Sequence, residues 1–248
     1  MPGKYRNPPV AEVVCAFAFA SSAQWDLTIP GLLWEKFRGD YPHVEPINMM
    51  QVTVNLGLQQ VTQQPSVRFL SEDRNNIVQL APNQLSIHRV NGYMGWVNFR
   101  PQVLGALELY REIAKPDGLT RIGLRYLNHV ELAAGRIELE DYFCVMPKVP
   151  EPIPQTFRAF LTQVNIPYGG SESGVPESWL RITFGTADSD QPNQMRFILD
   201  LEMSTPEGTL PLESAAAWLD TAHARLDEAF TAAFTEKTHR EIFGENIQ

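Results

Sequence analysis

Two cysteines in 248 residues, Cys15 and Cys144, are too few for a disulfide framework. Both stand in apolar settings that suit buried thiols. The five histidines (His43, His88, His129, His223 and His239) are scattered, with no H-x-x-x-H and no C-x-x-C, so no metal site is expected. No stretch approaches eighteen uninterrupted apolar residues, which excludes a membrane-spanning helix. Positive charge is scarce as well: 20 Lys and Arg stand against 29 Asp and Glu, a formal charge of −9. General nucleic-acid affinity feeds on clustered positive charge and is not expected here.

The acidic excess is uneven. Residues 1–134 carry 12 basic and 11 acidic side chains; residues 135–248 carry 8 and 18. The first half can therefore hold a local basic face that the whole-chain charge conceals. Hydrophobic content of 44% and charged content of 20% are ordinary for a chain that buries a real core. The length allows one large domain or two closely packed halves. Near the start, Lys4 and Arg6 precede V-V-C-A-F-A-F-A, faintly like a secretory leader. Glu12 interrupts that run, and the alternation of Val13, Cys15, Phe17 and Phe19 suits a strand, so a cytoplasmic chain is expected.

What the sequence does contain is a long alternating segment, Leu119 to Leu132, L-T-R-I-G-L-R-Y-L-N-H-V-E-L. Ile122, Leu124, Tyr126, Val130 and Leu132 fall on one side of a strand; Arg121, Arg125, His129 and Glu131 fall on the other. One apolar and one charged face imply a large antiparallel sheet, packed on one side and wet on the other. Other strands are expected at 10–19, 51–56, 67–71, 76–80, 84–90, 156–166, 177–186 and 194–204. Helices are expected at about 30–38, capped by Thr28, at 101–114 beginning on Pro101, at 211–234 and at 237–243. Residues 137–144 fit a helical turn or a short strand equally. Pro147, Pro150, Pro152 and Pro154 make a stiff linker over 147–155.

The predicted class is therefore α+β, with mostly antiparallel sheet and long helices packed on one face. Three strands and a long helix recur at 67–114 and 156–234, a pattern that an internal duplication would produce. The expected organisation is a first half, 1–146, the linker, and a second half, 156–248, packed as one unit.

Arg121, Arg125 and His129 recur every four residues and project from one strand face at intervals of roughly 13 Å. Arg68, Arg89 and Arg181 join them if neighbouring strands are in register. Such a face recognises a phosphate, a carboxylate or an acidic patch. The competing reading is a solvated face whose arginines pair with Glu131, Asp200 and Glu202 across strands. Asn128 falls on the apolar side, where a buried amide must find partners, so it is expected to bond backbone at a bulge. Tyr93, Trp96 and Phe99 sit in a connection, either exposed as a binding site or folded inward as a lid. The glycine-rich P-Y-G-G-S-E-S-G-V-P (167–176) lacks the Lys-Ser/Thr of a phosphate loop and the spacing of a nucleophile elbow, which leaves a hairpin tip. Asp188 and Asp190 suit a polar turn, and Glu138, Glu140 and Asp141 an exposed acidic face.

Three segments carry a resemblance: N-P-P-V-A-E-V-V (Asn7 to Val14), R-Y-L-N (Arg125 to Asn128) and T-H-R-E-I-F-G (Thr238 to Gly244). In these the chain resembles a sporadically distributed bacterial family of hypothetical proteins of about this size. The family has no established activity and no assigned catalytic residues, so the resemblance implies no site residue. Its patchy distribution implies an accessory role, such as mobile-element biology or defence.

Together these readings point to a non-enzymatic binding or adaptor protein. Its candidate binding residues are Arg121, Arg125, His129, Tyr93 and Trp96. The expected partner is another protein, with a small anionic ligand as the other candidate; no catalytic residue, cofactor, metal, nucleic acid or membrane is expected. The rival is a small-ligand or nucleotide-processing enzyme with His129, Glu131 and an arginine between the halves. A third reading is a structural subunit whose acidic second half docks a basic neighbour.

Overall fold

Period-two sorting of side chains works only if a strand has neighbours on both edges, and in the computed structural model the alternating segment has them. That segment is one of nine strands: β1 (Val10–Ala20), β2 (His43–Asn55), β3 (Leu58–Leu70), β4 (Asn76–Ala81), β5 (Gln84–Val90), β6 (Gly118–Ala133), β7 (Leu161–Gly170), β8 (Val175–Ala187) and β9 (Gln194–Ser204). They form a single antiparallel sheet in the order β2-β3-β4-β5-β1-β6-β9-β8-β7. The structure describes residues 5–20, 26–55, 58–170 and 175–245, without the side chains of 49–64, 170 and 175.

β1 and β6 meet at the centre, with Val13 opposite Tyr126, Cys15 opposite Leu124 and Phe17 opposite Ile122. All six are buried, so the two most regular strands present one continuous apolar surface. Each large side chain hidden there contributes about 1.5–3 kcal/mol of hydrophobic stabilisation. Three helices accompany the sheet: α1 (Ile29–Phe37), α2 (Trp96–Ala114) and α3 (Ala215–Ala233). α3 packs on β6, β8 and β9, α2 on β5, and α1 on α2 and β3. The expected stripes do this work, since Val103, Ala106, Leu107 and Tyr110 of α2 and Leu219, Ala222, Leu226 and Phe230 of α3 are buried.

Several boundaries differ from the sequence expectation for identifiable reasons. α2 begins at Trp96 rather than Pro101, because Gly95 at φ 88° turns the chain and accepts bonds from Asn98 and Phe99 N–H. Trp96 and Phe99 thus belong to the helix, not to a connection. Thr28 provides no side-chain cap; Asp26 Oδ1 instead accepts from Thr28 N–H at 2.8 Å. Cys144 is exposed, because Phe143 on the same short segment turns inward and bridges to Phe234. β2 and β3 are longer than expected, and their pairing continues to Asn55 and Leu58. Strand β7 starts at Leu161, five residues late, and α3 starts after a 3-10 turn at Leu212–Ser214. Residues 139–141 form a 3-10 turn, and Thr238–Ile242 a π-helical one.

The opening and closing segments that carry the family resemblance meet. Arg6 and Asn7 N–H donate to the carbonyls of Gly244 and Phe243, and Tyr5 bridges to Glu245. Gly244 has φ 64°, and a Cβ there would press on Arg6. His239 is 7% exposed, with Nε2 3.1 Å from Thr231 O and Nδ1 2.7 Å from Tyr5 Oη. Since a carbonyl only accepts, Nε2 carries the proton and the tyrosine hydroxyl donates to Nδ1. Replacing His239 with Ala removes both bonds and opens a hole among Phe230, Phe234 and Phe243. Urea unfolding should show a loss of about 2–4 kcal/mol. His43→Ala, which breaks only a half-exposed 3.4 Å contact to Glu72, should cost about 0.5 kcal/mol or less.

Candidate functional site

The alternation of β6 divides the candidate residues between two faces of the sheet. Arg121, Arg125, His129 and Glu131 occupy the outer face. Arg125 makes a two-pronged pair with Asp200, both bonds 2.7 Å, and Arg121 Nη2 donates to Glu202 Oε1 at 2.6 Å. Arg181 donates to the other oxygen of Glu202 at 3.1 Å, and Arg196 holds both Glu131 and Asp190. Further along, Arg68 donates to Gln79, and His88 lies 2.8 Å from Glu12. The hydrogen bond to His88 lowers the Glu12 carboxyl below its ordinary range.

This is the cross-strand pairing expected of a solvated face, with Glu131, Asp200 and Glu202 as the partners. Arg68 and Arg181 share the face, whereas Arg89 does not. It stands opposite Val13, a core residue, so parity sends it to the face that Val13 shares. His129 lies beyond the arginine pair, where burial and Arg196 both hold its ring below the usual titration range. In the Arg121–Glu202, Arg125–Asp200 and Arg181–Glu202 pairs the guanidinium is a third or more exposed, so each of these bridges contributes at most about 1 kcal/mol. Their value is positional, because they hold three guanidinium groups in fixed orientations.

Tyr93 and Trp96 lie on the other face, under α3. The Tyr93 side chain turns inward and is 8% exposed, so the connection folds over the sheet. Its hydroxyl is 3.0 Å from that of Tyr126, which is 3.2 Å from His223 Nδ1. The His223 ring stacks on Trp96 at 4.6 Å, and Trp96 Nε1 donates to Asp220, which Arg100 also grips. Burial raises the Tyr93 and Tyr126 hydroxyls well above the ordinary tyrosine range, and lowers His223 so that its ring is neutral at pH 7.

Asn128 completes this inner group. It is fully buried opposite Val10, beside a register shift between Val10 and Glu12, which is the bulge its position on the apolar side implies. Its Nδ2 donates to the carbonyls of Leu199 (3.0 Å) and Tyr126 (3.4 Å). That fixes the amide's orientation and leaves Oδ1 without a partner. Asn128 lines a cavity of about 20 Å³ together with Tyr93, Tyr126, His223, Asp227 and Phe230.

No family model matches this chain, and no curated protein matches it in sequence. The site therefore rests on its own geometry. Of the five candidate residues, Tyr93 and Trp96 come together, as do Arg121 and Arg125, and the pairs stand on opposite faces. His223 and Asp227 escaped the sequence reading because they flank the apolar stripe of α3, although their four-residue spacing places them on one helix face. No group of three or more metal-ligating side chains occurs among the described residues.

Asn128→Asp tests the burial of this cluster through pH. A protonated Asp can still donate to Leu199 O, but an ionised one has no compensating charge at Oδ1. The pKa of the new carboxyl should rise above its unfolded value of about 3.9. Stability is then retained below that value and lost as pH climbs through the folded pKa. Unfolding in urea at pH 4 and pH 7.5 should show a deficit relative to the parent that is several-fold larger at the higher pH.

Proposed function

We propose that the chain is a non-enzymatic binding or adaptor protein that presents the outer face of its sheet to another protein. One observation carries this reading: the outer face is an ordered array of guanidinium and carboxylate groups held by one another. Such an array matches a partner with interleaved acidic and basic side chains, because each Arg keeps donors beyond those used in its own pair. Electrostatic complementarity of this kind serves specificity and encounter rate more than affinity.

The burial pattern supports the remainder of the reading, in which the long helices cover one face and leave the other for recognition. The residues of α2 and α3 that are buried join the side of β6 carrying Leu124 and Tyr126. An internal duplication finds support in the strand order. β3-β4-β5 returns beside β1 and precedes a 19-residue helix, while β7-β8-β9 returns beside β6 and precedes another of 19 residues. Halves 1–146 and 156–248, joined through 147–155, would then act as one unit through the β1–β6 seam. Membership of the sporadic bacterial family, with a cytoplasmic accessory role, belongs to the same proposal. The meeting of its opening and closing motifs supports it.

Native mass spectrometry of the tagged chain purified from its own host tests this reading. The expected result is a stoichiometric protein partner that is lost when Arg121 and Arg125 are both changed to Glu. Circular dichroism and Tm establish that this variant is folded. Exchanging the pair, Arg125→Asp with Asp200→Arg, keeps the bridge but reverses the pattern, and should also lose the partner. Capture unchanged in both variants removes the outer face from consideration.

A further inference from the structure

We infer that Ser86, His88 and Glu12 form a nucleophilic site on the outer face of the sheet, where Ser86 takes up a short acyl group from an activated ester. The site belongs to the isolated chain and the uptake is a single event, so the inference does not depend on a protein partner for that face.

The register builds the site. Ser86 and His88 are two residues apart on β5, so both side chains leave the same face, and Glu12 comes from β1 alongside. His88 stands opposite Val14, which stands opposite Arg125, and this puts the group on the face of the arginines. His88 Nδ1 is 2.8 Å from Glu12 Oε1, and His88 Nε2 is 2.9 Å from Ser86 Oγ. The bond from His88 holds the Glu12 carboxyl ionised, below its ordinary range, and a carboxylate only accepts. In the neutral ring Nδ1 therefore carries the hydrogen, Nε2 keeps a lone pair, and the Ser86 hydroxyl donates to it. A hydroxyl that donates to an imidazole oriented by a carboxylate is an activated nucleophile. The His88 side chain is 15% and that of Glu12 27% exposed, so neighbours hold the pair, while the half-buried Ser86 still meets solvent.

The surroundings suit an acyl donor. Gln79 stands opposite Ser86 on β4 and accepts from Arg68 at 2.7 Å. Arg68 and Arg125 both draw the Glu12 carboxyl down through their charge, so two guanidinium fields reach the site and favour an oxyanion beside Ser86. On the β1 side Ala16 presents only a methyl group, which leaves Oγ open to approach. Past Ala16, Arg121 Nη1 and Glu202 Oε1 stand 3.7 Å from the place a Cβ on Gly123 would take, and they close the gap. The opening is one residue wide, which suits a short acyl group.

In the reaction Ser86 Oγ bonds to the acyl carbon as its proton passes to His88 Nε2. The bond from that carbon to the leaving oxygen breaks, and the oxygen takes the proton from Nε2. The donor ester becomes an alcohol and Ser86 becomes an ester; nothing is oxidised or reduced. Glu12 touches no reacting atom and is a positioning residue.

The test exposes the full chain to p-nitrophenyl acetate, follows release of p-nitrophenolate, and assigns acetylated residues by peptide mass mapping over time. Ser86 should be acetylated about 100-fold faster than any other serine of the chain. Where water clears the new ester, the release lost in Ser86→Ala reports the same step. His88→Gln, which keeps a polar side chain but no base, should bring Ser86 down to the rate of the other serines. Glu12→Gln should slow Ser86 too, and Glu12→Asp should restore part of that loss, as positioning by a carboxylate requires. Circular dichroism and Tm establish that each variant is folded. Acetylation of Ser86 in the parent no faster than that of other serines, with release unchanged in Ser86→Ala, overturns the inference. Fast acetylation of Ser86 that persists in His88→Gln overturns it as well.

Discussion

The antiparallel pairing of β1 with β6 is the contact on which everything else is built. About a hundred residues separate these strands in the sequence, so their pairing closes a long loop. It joins the meander that ends in β5 to the one that ends in β9. It also fixes parity for both. A slip of one residue would bury Arg121 and Arg125 and expose Leu124 and Tyr126. With Ile122, Leu124, Tyr126, Val130 and Leu132 all committed to the core, the cost of such a slip is several buried side chains at once. The seam tolerates two register shifts, at Val10/Glu12 and at Ala18/Phe19, and beside the first Asn128 takes the place that a hydrocarbon would otherwise fill.

From this seam the two faces acquire different chemistry. On one, charges meet charges across strands, and water reaches the guanidinium groups of Arg121, Arg125 and Arg181. On the other, polar groups are rationed: Tyr93, Tyr126, Asn128 and His223 gather in one place, and hydrocarbon surrounds them. The same four-residue repeat that aligns arginines outside thus leaves an amide inside, because even and odd positions of one strand obey different solvents.

How much of this could be read in advance follows from how local each signal is. The alternation of β1, β6 and β9 and the stripes of α2 and α3 are properties of ten to twenty consecutive residues, and they located those elements. The class and the antiparallel sheet followed. Boundaries that depend on a single backbone angle did not: Gly95 at φ 88° starts α2 five residues ahead of Pro101. Strand order was also out of reach, since nothing local in β1 names β6 as its neighbour. The pairing of Arg125 with Asp200 could be anticipated from parity, while the exclusion of Arg89 needed the register opposite Val13. The inner cluster was half legible. Asn128 stood out as a polar residue on an apolar face, but its link to Tyr93, 35 positions away, and to His223 on another helix is purely tertiary.

The outermost strand on one side, β7, holds no charged residue between Leu161 and Gly170, and Leu161 is 76% and Val164 51% exposed. Bare strand margins of this kind invite a further chain to zip on and extend the ladder indefinitely. Pro167 interrupts that margin with a nitrogen that carries no hydrogen. The register shift between Tyr168 and Gly170, with Gly169 at φ 82°, breaks the same margin a second time, so this border is guarded by backbone irregularity rather than by repulsion.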